Sequence, residues 1–200
     1  MIDGQRLPSR RGPWTTLATN TVYTNPWVEV VQHEVLDPSG RPGIYGVVSP
    51  RDLAIGVLPL FDDGTTVLVG QHRYALDAYS WEMPEGGGRK DVDPIISAAR
   101  ELQEEAGLIA ASWHPLHRIH LSNSITDELA ISFLAWGLSG AADGATPEST
   151  EGDLVSVRIQ FGDVVARVMA GAITDSMTVA AVMHVELLRL RGELPSGVPL

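Results

Sequence analysis

Glu101, Glu104 and Glu105 lie in the run Arg100-Glu101-Leu102-Gln103-Glu104-Glu105-Ala106-Gly107-Leu108. On a helix these three are related by i, i+3 and i+4, so their carboxylates crowd one face. Like charges placed that way weaken a helix by roughly 0.2–0.5 kcal/mol per pair. A charge run of this kind is ordinarily the solvated face of an amphipathic helix. With Mg²⁺ or Mn²⁺, hard cations that favour carboxylate oxygen and water, it becomes a surface for binding phosphates.

The flanks define the helix. Asp93 has the side chain of an N-cap, and Pro94 fits the first helical position. Ile95, Ala98, Ala99, Leu102 and Ala106 form an apolar stripe, and Gly107 is the expected stop. The spacing predicts a helix over 94–106 with its acidic side turned away from the core. Upstream lies Trp81-Glu82-Met83-Pro84-Glu85-Gly86-Gly87-Gly88, whose glycines let backbone approach a ligand or metal where a Cβ would block it.

Two hundred residues at 44% hydrophobic content suffice for one well-buried core. The longest apolar stretch, Leu53 to Phe61, is too short to span a bilayer, so no membrane partner is expected. Arg6, Arg10 and Arg11 are followed by no apolar h-region, which argues against a secretory signal and leaves the cytoplasm as the default. Zero cysteines exclude disulfides and thiolate metal sites. In residues 1–50 Arg6, Arg10, Arg11 and Arg41 balance Asp3, Glu29, Glu34 and Asp37, so the whole net charge of −11 sits beyond. Duplex nucleic acid needs a basic footprint and is excluded as a partner. Phosphorylated small molecules are not, because a bound cation supplies the missing positive charge. The six histidines form no H-x-x-x-H pair, and no serine sits in a Gly-x-Ser-x-Gly elbow. Zinc and triad hydrolysis therefore have no support.

Alternation over Trp27–Val35 predicts a strand ended by Asp37-Pro38-Ser39-Gly40. Leu53–Phe61 and Thr65–Tyr74 are expected to form a hairpin turning at Asp62-Asp63-Gly64. Strands are expected near 117–121, 129–136 and 154–159, helices near 162–170 and 177–191, a long polar loop over 140–152, and a frayed tail over 195–200. Strands followed by flanking helices give a mixed α/β sandwich.

Joined at this spacing, the Gly triplet and the helix resemble the Nudix box, G-x5-E-x7-R-E-U-x-E-E-x-G-U, where U is a bulky aliphatic. Gly86 starts it and Leu108 ends it, and the Arg-Glu-Leu-x-Glu-Glu-x-Gly-Leu half is complete. The resemblance implies the Nudix fold, a mixed β-sheet sandwiched between α-helices, over about residues 45–192. One departure stands out: the first box glutamate falls at Val92, between Asp91 and Asp93. In the family that residue partners the box arginine or occasionally ligates metal, and either aspartate could replace it only by a shift of register.

Gln71-His72-Arg73-Tyr74, Trp81-Glu82-Met83-Pro84-Glu85-Gly86-Gly87 and Ile173-Thr174-Asp175-Ser176-Met177-Thr178 are similar to the ADP-ribose pyrophosphatase branch, which commonly reads Q-Y-R-Y, W-E-L-P-A-G-G and I-x-D-x-x-T. Ser122-Asn123-Ser124 departs from it by lacking a proline. The resemblance implies an N-terminal strand extension over 1–44 serving a homodimer, the catalytic domain over 45–192, and a flexible tail over 193–200. It implies Mg²⁺, or Mn²⁺, held by Glu101, Glu105, Glu104 and the Glu85 backbone carbonyl, with Arg100 orienting a glutamate.

The proton acceptor is expected from the late acidic loop, Glu151 first, then Asp153 and Glu148. Gly86 and Gly87 would bring backbone to the substrate. Arg73 either clamps a phosphate or pairs with Asp77 or Glu82. Trp27 either stacks on the nucleobase or anchors a dimer or core. Glu82 either bonds the base or ribose, from its own or a partner subunit, or makes a structural ion pair. The implied reaction converts ADP-ribose to AMP and ribose 5-phosphate. The alternatives are another substrate (GDP-mannose, another nucleotide sugar or a dinucleoside polyphosphate) or a non-catalytic nucleotide-binding module.

Overall fold

The computed structural model describes residues 8–142, 144 and 152–200. They form two compact units, one of Met1–Asp52 with His120–Glu128 and one of Leu53–Ile119 with Leu129–Leu200.

The first unit is an antiparallel meander of β1 (Ser9–Arg11), β2 (Trp14–Thr24), β3 (Val28–Leu36) and β4 (Pro42–Pro50). Side-chain chemistry sets its turns. Asn25 Oδ1 accepts the amides of Trp27 and Val28 at 2.9 and 2.7 Å, which starts β3. Asp37 Oδ1 accepts the amides of Ser39 and Arg41, and Gly40 supplies the positive φ of 84° that closes the next turn. β4 runs across the 44/45 boundary expected from the sequence, and the break between units falls after Asp52.

The second unit holds β5 (Leu53–Leu60), β6 (Thr65–Arg73), β7 (Ala78–Glu82), β8 (Glu85–Gly88), α1 (Pro94–Ala106), β9 (Leu108–His120), β10 (Leu129–Gly140), β11 (Val155–Gln160), α2 (Phe161–Met169) and α3 (Ser176–Arg191). Its main sheet runs β11-β6-β5-β10-β9 and is mixed, since β10 is parallel to β5 and β11 antiparallel to β6. Successive β5 residues face opposite sides. Ile55 and Val57 pack with Ala98 and Leu102 of α1, whereas a side chain on Gly56 would strike Met83 and Met177 of α3. The sheet is therefore covered by α1 on one face and α3 on the other, with buried Met177, Ala181, Val182 and Val185 forming the second contact.

The expected β5–β6 hairpin exists but is splayed. The two strands pair only at Leu60↔Thr66. Beyond that, β6 takes β7 and β5 takes β8, both antiparallel, so the chain doubles back between the arms. The Gly triplet is thus a strand rather than a loop. Where a frayed tail was expected, Pro199 and Leu200 lie against the β5–β6 turn, each within 3.8 Å of where a Gly64 Cβ would sit.

α1 spans Pro94–Ala106 as predicted, with Asp93 accepting the Ile95 amide and Gly107 left-handed at φ 64°. Asp93→Asn should be nearly silent in thermal melting, because Asn caps equally well, and Asp93→Ala should cost about 1 kcal/mol. Equal melting of the Asn and Ala variants would remove the capping role.

Candidate active site

The acidic side of α1 is not turned away from the core. Glu101 and Glu105 are 5% and 1% exposed, while Ala99, assigned to the apolar stripe, is exposed. The helical wheel explains the correction: at 100° per residue Glu105 lies only about 20° from Ala98, and Glu101 about 60°. Both carboxylates sit at the edge of the packed face, over β8.

β8 is shaped to receive them. Glu105 Oε2 accepts the Glu85 amide at 2.8 Å. A Cβ on Gly86 would come within 2.4 Å of the Glu101 carboxylate, so only glycine fits there. Bonded and unbonded pairs alternate along an antiparallel ladder. Because the Val57 amide donates to the Pro84 carbonyl, Gly56–Glu85 is an unbonded pair, and the Glu85 carbonyl points away from β5 on the side where Glu105 meets its amide.

Arg100 ties the helix to this strand. Its guanidinium donates to the Gly87 carbonyl at 2.6 Å, to Glu101 at 2.6 Å and to Glu104 at 2.5 Å. Burial alone would lower its pKa, but Glu101 and Glu104 outweigh it and raise the value. Val92 offers no carboxylate, and its neighbours do not replace one: Asp91 pairs with Arg89 and Asp93 caps α1.

Across the gap, Arg73 pairs with Glu82, its Nε within 2.9 and 3.1 Å of the two carboxylate oxygens and its Nη2 closing the fork. The hydrogen bond to Glu82 raises the arginine's pKa. The ion pair foreseen as one reading of Arg73 and Glu82 is therefore present, and it occupies the planar fork. Glu85 Oε1 lies 3.9 Å from the same Nη2. Burial drives the Glu85 pKa well up, with Asp175 and Glu82 adding to it and Arg73 opposing.

Asp175 and Thr178 were quoted in the closing segment without a role. Asp175 caps α3 through the Thr178 amide, and Thr178 Oγ1 accepts the Met83 amide at 2.9 Å, fastening α3 to the β7–β8 bend. The three-residue interval from Asp175 to Thr178, matching an N-cap and its N3 amide, was the available signal.

Asp153 accepts the His72 amide at 3.1 Å, one residue from Arg73. Glu148 and Glu151 lie outside the described residues. Trp27 belongs to the other unit and is 73% exposed.

Among the described residues, no three His, Asp or Glu side chains are gathered closely enough to cage an ion. The donor set still fits Mg²⁺ or Mn²⁺, which keep several waters and use one or two carboxylates with substrate phosphates. Glu85 Oε2 is buried with no hydrogen-bond partner, which is an acceptor suited to a cation.

Comparison with known proteins agrees with this geometry. Residues 14–48 match the nucleoside diphosphate sugar hydrolase N-terminal domain, and residues 50–166 match the NUDIX domain. An ADP-ribose pyrophosphatase of Mycobacterium tuberculosis is 28% identical over 85% of this chain and 82% of its own length. Another, of Bacillus subtilis, is 27% identical over 86% and 92%. A methanol dehydrogenase activator of Bacillus methanolicus is also 27% identical over 86% and 92%. A solved structure described as an ADP compounds hydrolase shares the fold, with a TM-score of 0.78 at 18% identity over 96% of this chain and 100% of that one. With a complete second half of the box on α1, its two buried glutamates against β8 and a NUDIX domain over most of the chain, this protein belongs to the Nudix family of pyrophosphohydrolases.

Proposed function

We propose that this Nudix hydrolase cleaves the diphosphate of ADP-ribose, with water, to AMP and ribose 5-phosphate. One observation carries the hydrolytic part: the buried Glu101 and Glu105 carboxylates converge on the Glu85–Gly87 backbone beside Arg100. The substrate part is supported by the two relatives named ADP-ribose pyrophosphatase.

Glu101 and Glu105, then Glu104 and the Glu85 carbonyl, would hold Mg²⁺. When bound, the ion neutralises phosphate oxygens and makes water a stronger nucleophile. Arg100 holds Glu101 and Glu104 in place. Arg73, braced by Glu82, presents positive charge at the opposite wall. The proton of the attacking water passes to a late acid, Glu151 or Asp153. A homodimer through the N-terminal sheet is part of the same reading, supported by exposed Val22, Tyr23, Trp27 and Ile44.

A panel of ADP-ribose, GDP-mannose, other nucleotide sugars and a dinucleoside polyphosphate, assayed with Mg²⁺ and with Mn²⁺, tests the assignment. Phosphatase in the assay releases phosphate only after the diphosphate is cut. ADP-ribose should give the highest kcat/KM. Faster cleavage of another compound would move the substrate, and no cleavage of any would leave a nucleotide-binding module.

A further inference from the structure

Glu85 stands where the resembling branch commonly has alanine, in Trp81-Glu82-Met83-Pro84-Glu85-Gly86-Gly87. The same chain lacks the first box glutamate, with Val92 in its place. Both departures concern a carboxylate near one site. We infer that the Glu85 side chain supplies the metal-binding carboxylate that Val92 cannot, so that this residue serves the cation through its side chain as well as its backbone carbonyl.

Three observations support this. First, the residues flanking Val92 are engaged elsewhere: Asp91 with Arg89 at 2.6 Å, and Asp93 with the first turn of α1. Second, Glu85 Oε2 is shielded from solvent and accepts no hydrogen bond, an arrangement that strongly disfavours a carboxylate unless a cation joins it. The nearest guanidinium does not meet that need, because Arg73 is 3.9 Å from Oε1 and commits its fork to Glu82. Third, Glu105 is bonded to the amide of the same residue, so a carboxylate already assigned to the metal reaches this point of β8. A structural role is the competing account. A buried carboxylate kept for folding would be expected to have its hydrogen bonds satisfied, and Oε2 is not.

The inference rests on the metal site of the proposed function, and its test is separable from it. Mn²⁺ binding is titrated by calorimetry, using MnCl₂ alone, on the wild type, Glu85→Gln and Glu85→Ala. Thermal melting of the metal-free proteins is recorded alongside. Both variants should bind Mn²⁺ at least about tenfold more weakly, since one of few carboxylates is lost. Both should melt in metal-free buffer at or above the wild-type midpoint, because an unsatisfied buried group has gone. In the hydrolysis assay the half-saturating Mg²⁺ concentration should rise in parallel. Wild-type Mn²⁺ affinity in both variants would overturn the inference, as would lower melting points with unchanged affinity, the signature of a purely structural glutamate. If the wild type binds Mn²⁺ but cleaves no nucleoside diphosphate compound, the proposed function fails while the Mn²⁺ comparison still decides the role of Glu85.

Discussion

Glu105→Gln is expected to lower kcat by about 10²-fold or more, even at saturating Mg²⁺. Glutamine matches glutamate in shape and keeps an oxygen to accept the Glu85 amide, the bond that Glu105 Oε2 makes at 2.8 Å. The substitution therefore removes charge and little else. Since the side chain is 1% exposed, losing that charge should not lower the melting temperature. Steady-state kinetics with a Mg²⁺ titration, paired with thermal melting, read the two effects apart. Turnover near wild type in a folded Glu105→Gln protein would contradict the metal assignment.

Gly86→Ala should be nearly as damaging to turnover, by about 10–10²-fold, through geometry alone. The new methyl would lie 2.4 Å from Glu101 Oε1 and 2.6 Å from Oε2. The end of a flexible side chain is cheap to move, so the fold survives and the carboxylate yields. A displacement of roughly 1 Å in a positioned group can cost about 10²-fold in rate. Glu101 would also shift against Arg100, loosening a pair now 2.6 Å apart. The expected pattern is a large fall in kcat with a melting midpoint within a few degrees of wild type. If kcat holds, the position of Glu101 does not govern the chemistry. If melting collapses instead, Gly86 serves packing rather than the site.

The helix that carries the site was legible because local chemistry specifies it. Asp93, Pro94 and Gly107 are signals that act within a few residues, and α1 begins and ends where they place it. β10 and β11 were likewise readable from apolar runs. β7 and β8 were not, because Trp81–Gly88 has neither strand alternation nor β-branched residues and forms strands only by pairing with β6 and β5.

The sequence by itself determined the family, the glutamates of the box and the cap-to-cap extent of their helix, since each rests on residue identity at short spacing. Only the tertiary structure decided that Glu101 and Glu105 are buried, that Gly86 is needed to admit a carboxylate, and that Arg73 is held by Glu82. It also decided that Glu85 points a buried, unsatisfied oxygen toward the acids around it. Burial and charge pairing depend on which strands meet across the chain. Leu60 and Thr66 hold the β5–β6 arms together at one pair, and the gap they open brings Glu82, Glu85 and Glu105 into one electrostatic environment.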